Sequence, residues 1–127
     1  MHEFINHKFK YAVIGASQNP EKYGHRVFKD LLEAGYSVYP VNPNAEELLG
    51  QKLFQNLKNI PDNIDVVIMV VPPPIAVEML KQIKSLGINK VWFQPGSESN
   101  EAGEYCRTEG INFVSNACIM VKRRDNE

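Results

Sequence analysis

Apolar residues along the chain fall into two alternating rhythms. "KYAVI" at 10–14, "YSVYPV" at 36–41, "DVVIMVV" at 65–71, "NKVWFQ" at 89–94 and "NFV" at 112–114 are short β-branched or aromatic runs, the signature of strands. Between them, "GHRVFKDLLEAG" places Val27, Phe28, Leu31 and Leu32 at helical spacing. "PPPIAVEMLKQIKSLG" opens a second helix on prolines, whose missing N–H groups do no harm there, and "ESNEAGEYCRTEG" reads as a third, more polar helix. Gly35, Gly87 and Gly110 follow the three helical patterns as C-terminal stops. The segment from Asn44 to Ile64 is expected to be an irregular connection with a short helical turn at 45–49.

Strand–helix alternation of this kind predicts an α/β domain, a Rossmann-like doubly wound parallel sheet of about five strands with helices on both faces in three layers. The run at 65–71 is apolar on both faces, as a central strand between two helix layers must be. Numbering the five main strands in chain order, right-handed crossovers and a switch point beside the first strand lead to an expected order of 3-2-1-4-5. The tail "KRRDNE" is expected to be a frayed end, and the core to span about residues 9–121 of one domain.

Composition removes several classes of function. At 127 residues, with 14 Lys and Arg against 15 Asp and Glu, the chain has the size of one domain and no net field to attract nucleic acid or an anionic membrane. No apolar run has the length of a signal peptide or a membrane span. A cytoplasmic protein is therefore expected. The two cysteines, Cys106 and Cys118, form no CxxC, and His2 and His7 have no third ligand at metal spacing. Neither a disulfide framework nor a metal site is expected.

Ligands of open parallel sheets bind beyond the carboxyl ends of the strands, where successive crossovers diverge. In this chain those ends are Gly15-Ala16-Ser17-Gln18, Val41-Asn42-Pro43-Asn44, Val71-Pro72-Pro73-Pro74, Gln94-Pro95-Gly96-Ser97 and Ser115-Asn116-Ala117-Cys118. They are small, polar or proline-rich and gather no set of acids or histidines. Gly15 permits a sharp turn and close backbone approach, and main-chain N–H groups there and near Tyr23 to His25 suit a phosphate at a helix start. Alone, this loop is equally well a plain strand-to-helix turn. The G-x-G-x-x-G spacing is missing, and Val41-Asn42-Pro43 replaces the acid that would grip a ribose diol, so a nicotinamide dinucleotide is disfavoured. Lys22 and Arg26 flank the loop and could meet phosphate oxygens. His25 reads as a surface histidine, Ser17 as a hydrogen-bond donor without a base, and Cys118 as a small apolar filler. Trp92 and Phe93 read as core residues.

In combination, "VIGAS", "YPVNP", "DVVIMVVPP", "VWFQPG" and "NACIMV" resemble the small standalone CoA-binding domain proteins of bacteria. These are similar in turn to the N-terminal domain of the succinyl-CoA synthetase α subunit. The resemblance implies a domain that takes coenzyme A or an acyl-CoA along the carboxyl edge of its sheet. Carried over, Gly15, Ala16, Ser17 and Gln18 line the phosphates. Val41, Asn42 and Pro43 flank the adenosine, with Lys22 or Tyr23 nearby. Val71, Pro72 and Pro73 form an apolar wall, and Gln94, Pro95 and Gly96 border the pantetheine path. The synthetase relays phosphate through a histidine in a further domain, so its ligase activity is not carried over to this chain. The expectation is a non-catalytic carrier, sensor or regulatory module. Its rivals are an NAD(P)-binding sensor and a small enzyme using Cys118 in acyl or thiol exchange. Whether two chains associate is left open.

Overall fold

A computed structural model describes residues 3–126. Its main sheet is parallel and contains β1 (Lys10–Ile14), β2 (Ser37–Val41), β5 (Val66–Met69), β6 (Lys90–Phe93) and β7 (Asn112–Val114), ordered β2-β1-β5-β6-β7. A two-stranded hairpin, β3 (Glu47–Leu48) with β4 (Gln51–Lys52), and a 3-10 turn at Leu57–Asn59 link β2 to β5. Helices α1 (Tyr23–Glu33), α2 (Pro73–Ser85), α3 (Asn100–Glu109) and α4 (Ile119–Asp125) complete the fold.

Period-two alternation along the strands sorts the core into two layers. Tyr11, Val13, Val66, Ile68 and Trp92 pack with Val27, Phe28 and Leu31 of α1 and Ile119 of α4. Ala12, Ile14, Val67, Met69, Val91 and Phe93 face Ala76, Leu80 and Ile83 of α2 and Cys106 of α3. The doubly wound, three-layer architecture follows directly.

Strand order departs from the expectation. Counting the five main strands, it is 2-1-3-4-5 rather than 3-2-1-4-5. The expected order would leave the third main strand at an edge. All four residues of β5 are fully buried, and a strand apolar on both faces gains most between two neighbours and two helix layers. The outer edge of β2 is closed instead by Phe54, which donates to Pro40 O (3.0 Å) and accepts from Asn42 N–H (2.9 Å). The switch point remains beside β1, between it and β5.

Three further expectations are corrected. Residues 45–49 form no helical turn; Leu49 (φ 50°) and Gly50 (φ 77°) both lie in the left-handed region and close a tight hairpin. The tail is not frayed through Arg124: α4 is fixed by Arg123, whose guanidinium donates to both carboxylate oxygens of Asp30 at 2.8 and 2.9 Å. Packing also continues before residue 9. Phe4 and Ile5 are buried, Phe4 meets Trp92 edge-on (6.1 Å), and the Tyr11 hydroxyl donates to Phe4 O (2.7 Å). His7 stacks on Tyr36 (3.9 Å between ring centres), while His2 lies outside the described residues. Among the described residues no helix is long and apolar enough to cross a membrane.

Candidate functional site

The carboxyl ends of β1 and β5 diverge into α1 and α2, and the turn after β1 is held from three sides. Gly15 adopts φ 97°, and a Cβ there would lie 2.1 Å from Val70 O, so only glycine passes. Its N–H donates to Val41 O (3.1 Å). Asn42 donates through Nδ2 to Ala16 O (2.7 Å) and accepts at Oδ1 from Asn44 N–H (2.8 Å). Asn42 was expected to flank the adenosine; the fold spends both ends of its amide on holding the loop.

Below the loop, His25 is buried rather than at the surface, and its Nδ1–H donates to Ser17 O (2.8 Å). Ser17 acts as an acceptor, since its Oγ receives the Asn19 N–H (3.1 Å). Gln18 Nε2 donates to Glu47 O (2.7 Å), tying the loop to the β3–β4 hairpin. Ala16 is wholly buried, so the main chain offered to the edge is that of half-buried Ser17 and exposed Gln18. Among the described residues, no acceptor meets the main-chain N–H groups of Ala16, Ser17 and Gln18, or of Tyr23 and Gly24 in the first turn of α1. Donors left over at a helix start, with the helix dipole behind them, favour an anion.

Two cavities flank this turn. A cleft of about 410 Å³ is lined by Gly15, Val41, Asn42, Pro43 and Val71. All five are residues that sequence reasoning placed at the site. It is completed by Ile14, by Asn44 just past β2, and by residues that reasoning missed: Gln55 and Asn56 from the connection, and Ile75, Glu78, Met79 and Gln82 from one face of α2. The i, i+3, i+4, i+7 spacing of the α2 residues was visible, but periodicity alone does not say what a helix face meets. Among the described residues no Lys or Arg lines this cleft, and Glu78 is the one ionisable side chain in its lining. A wider, more open hollow of about 560 Å³ beside Lys52 and Phe54 shares only Gln55 with it and touches none of the expected residues.

On the other side, a smaller cavity of about 120 Å³ lies between Tyr23, Val70, Gln94, Pro95 and Cys118. Tyr23 therefore belongs with the Gln94–Pro95 end and not with Val41–Pro43, as had been expected. Gln94 is buried; its Oε1 accepts from Ile119 N–H (2.7 Å) and its Nε2 donates to Cys118 Sγ (3.5 Å). Cys118 is half-buried at the start of α4. Ser97 joins the ends of β5 and β6 by donating to Val71 O (2.7 Å) and accepting from Val71 N–H (3.1 Å). Pro72 and Pro73 begin α2, Gly96 is exposed, and Lys22 is an exposed N-cap residue. Arg26 lies over the Tyr23 ring (5.6 Å). Trp92 and Phe93 are fully buried, with Trp92 Nε1 donating to Ala117 O (2.9 Å). Burial pushes the Cys106 thiol up to about 11, far from a reactive thiolate.

Surplus main-chain donors next to a largely apolar cleft match a ligand that is charged at one place and apolar or amide-like elsewhere. The chain is 43% identical over 121 residues to the α subunit of the ADP-forming acetate–CoA ligase II of Pyrococcus furiosus, covering 87% of this chain and 26% of that subunit. Thus it spans about a quarter of that ligase subunit. It is also 32% identical to the uncharacterized protein YneT of Bacillus subtilis, over 94% of this chain and 88% of that protein. A conserved hypothetical protein from Pyrococcus furiosus superposes with a TM-score of 0.86 at 41% identity, over 90% of this chain and 98% of that one. Residues 10–124 match the model of the CoA binding domain, and this chain belongs to that family.

Proposed function

We propose that this protein binds coenzyme A or an acyl-CoA at the carboxyl edge of its sheet, as a non-catalytic carrier, sensor or regulatory module. The observation that carries the reading is the meeting, at the β1–β5 switch point, of unpaired main-chain donors with a cleft that has apolar walls. In this reading Gly15, Ala16, Ser17 and Gln18 line the pyrophosphate, with the accessible amides of Ser17 and Gln18 as its donors and Gly15 making room for it. Val41, Asn42 and Pro43 flank the adenosine, and Val71, Pro72 and Pro73 form the wall between. The pantetheine arm runs toward Tyr23, Gln94, Pro95 and Gly96, with Lys22 at the rim. The thiol or acyl end then approaches the cavity at Cys118.

The end of β2 offers no carboxylate to a ribose diol, and the Asn42 amide is already engaged, which argues against the nicotinamide reading. Thermal melts with CoA, acetyl-CoA, dephospho-CoA and NADH test the choice. A ligand that binds only the folded state adds about 2.7 kcal/mol at a hundredfold excess over Kd. Stabilisation by the CoA compounds and not by NADH is expected; NADH alone raising Tm would overturn the reading. Mass spectrometry of ligand copurified with the protein identifies the acyl group.

A further inference from the structure

Among the described residues, one buried side-chain polar atom has no hydrogen-bond partner, and its residue lines the cleft. The side-chain oxygen of Gln82 is buried, and no hydrogen-bond donor reaches it. Gln82 lines the cleft on the same face of α2 as Ile75, two turns further along. At 1.5 Å per residue that places it about 10 Å deeper, the reach of a nucleoside laid along the helix. The apolar surfaces of Ile75 and Met79 lead down to it. Among the described residues no Lys or Arg lines the cleft, so an acceptor at this end favours a neutral group carrying N–H donors over a phosphate.

Resting on the CoA reading above, we propose that the Gln82 carboxamide is a specificity-determining residue that reads the adenine base. A carboxamide accepts from the exocyclic amine of adenine while donating to the neighbouring ring nitrogen, a pairing that matches no other purine edge as well. Because Oε1 is buried in this structure, this pairing requires the amide to turn toward the base. Gln82 thereby separates adenine from bases that lack the amine, while the loop at Gly15–Gln18 supplies affinity without regard to the base.

The test measures affinity by calorimetry for CoA and for its purine analogue, in which adenine loses only the exocyclic amine. The wild-type protein is expected to bind the analogue about tenfold more weakly, a difference of about 1.4 kcal/mol. Gln82→Leu is expected to bind both equally, near the wild-type affinity for the analogue. Gln82→Glu, which keeps an acceptor, is expected to retain the preference. Equal binding by the wild type, or an undiminished preference in Gln82→Leu, overturns the proposal. If the pantetheine arm fills the cleft instead, Gln82→Leu weakens both ligands alike, which also overturns it. These results leave CoA binding itself standing; failure of the wild type to bind either ligand removes the CoA reading and this inference with it.

Discussion

The carbonyl oxygen of Gly15 lies so close to Gly24 that a Cβ added to Gly24 would sit 1.8 Å from it. The first turn of α1 is thus seated directly on the turn that ends β1, backbone against backbone. Because the obstacle is main chain and not a flexible side chain, Gly24→Ala must push α1 away from the sheet. Overpacking of this sort costs about 1–3 kcal/mol. Urea denaturation is expected to show that loss, and CoA affinity is expected to fall because the donors of Ser17 and Gln18 lose their register with the helix start. A Gly24→Ala protein of wild-type stability and affinity would contradict this account.

Asp30 and Arg123 are mostly buried, at 19% and 13% side-chain exposure, and they fasten α4 to α1. Exposed pairs contribute about 0–1 kcal/mol and breaking a buried one costs about 3–5; Asp30→Asn is expected to fall between, at about 2 kcal/mol. Since Trp92 donates to Ala117 just before α4, tryptophan fluorescence in the same urea titration should report the loosening.

Burial raises the Cys106 thiol to about 11 and the Tyr11 phenol to about 12, against ordinary values of 9.0 and 10.0. Both folded groups hold their protons longer than the unfolded chain does, so the unfolded state binds fewer protons in this range and stability falls as pH rises. Stability from Cys106 is intact below pH 9 and is lost toward 11; that from Tyr11 is intact below 10 and is lost toward 12. Urea midpoints are expected to hold steady to about pH 9 and then decline, with Cys106→Ala delaying the onset. Midpoints unchanged up to pH 11 would show that neither burial matters.

Cys118 lines the small cavity beside Tyr23 and Pro95, whereas Cys106 is wholly buried. A thiol reagent applied to the native protein is therefore expected to label Cys118 first, and saturating CoA is expected to slow that labelling. Cys118→Ala should abolish the fast phase. Equal rates at the two cysteines, or no protection by CoA, would remove the pantetheine path from this side of the sheet.

Much of the molecule was legible from its apolar rhythm. β1 and the bodies of α1, α2 and α3 lie where the patterns put them, because each pattern is a local property set by which side chains must face inward. Gly15 was legible too, as the one residue able to make the turn. The His25 assignment failed for the opposite reason. Nothing in "YGHRV" says that the imidazole folds back under Ser17, since the site of burial is made by the loop and the sheet together. Gln82 could not be singled out either, because whether a buried oxygen is left without a donor depends on the packing of the whole chain and not on the local pattern of α2.

By itself, then, the sequence determined the element types, the alternation that demands helices on both faces, and the small and proline-rich carboxyl edge. Only the tertiary structure decided that β5 sits beside β1, that α4 is anchored to α1, and that the cleft runs along α2 toward Gln82. Local periodicity fixes which face of an element is apolar. Which elements meet depends on where the most fully apolar strand can be buried and which hydrogen-bonding groups remain to be paired, and those are properties of the whole assembled chain.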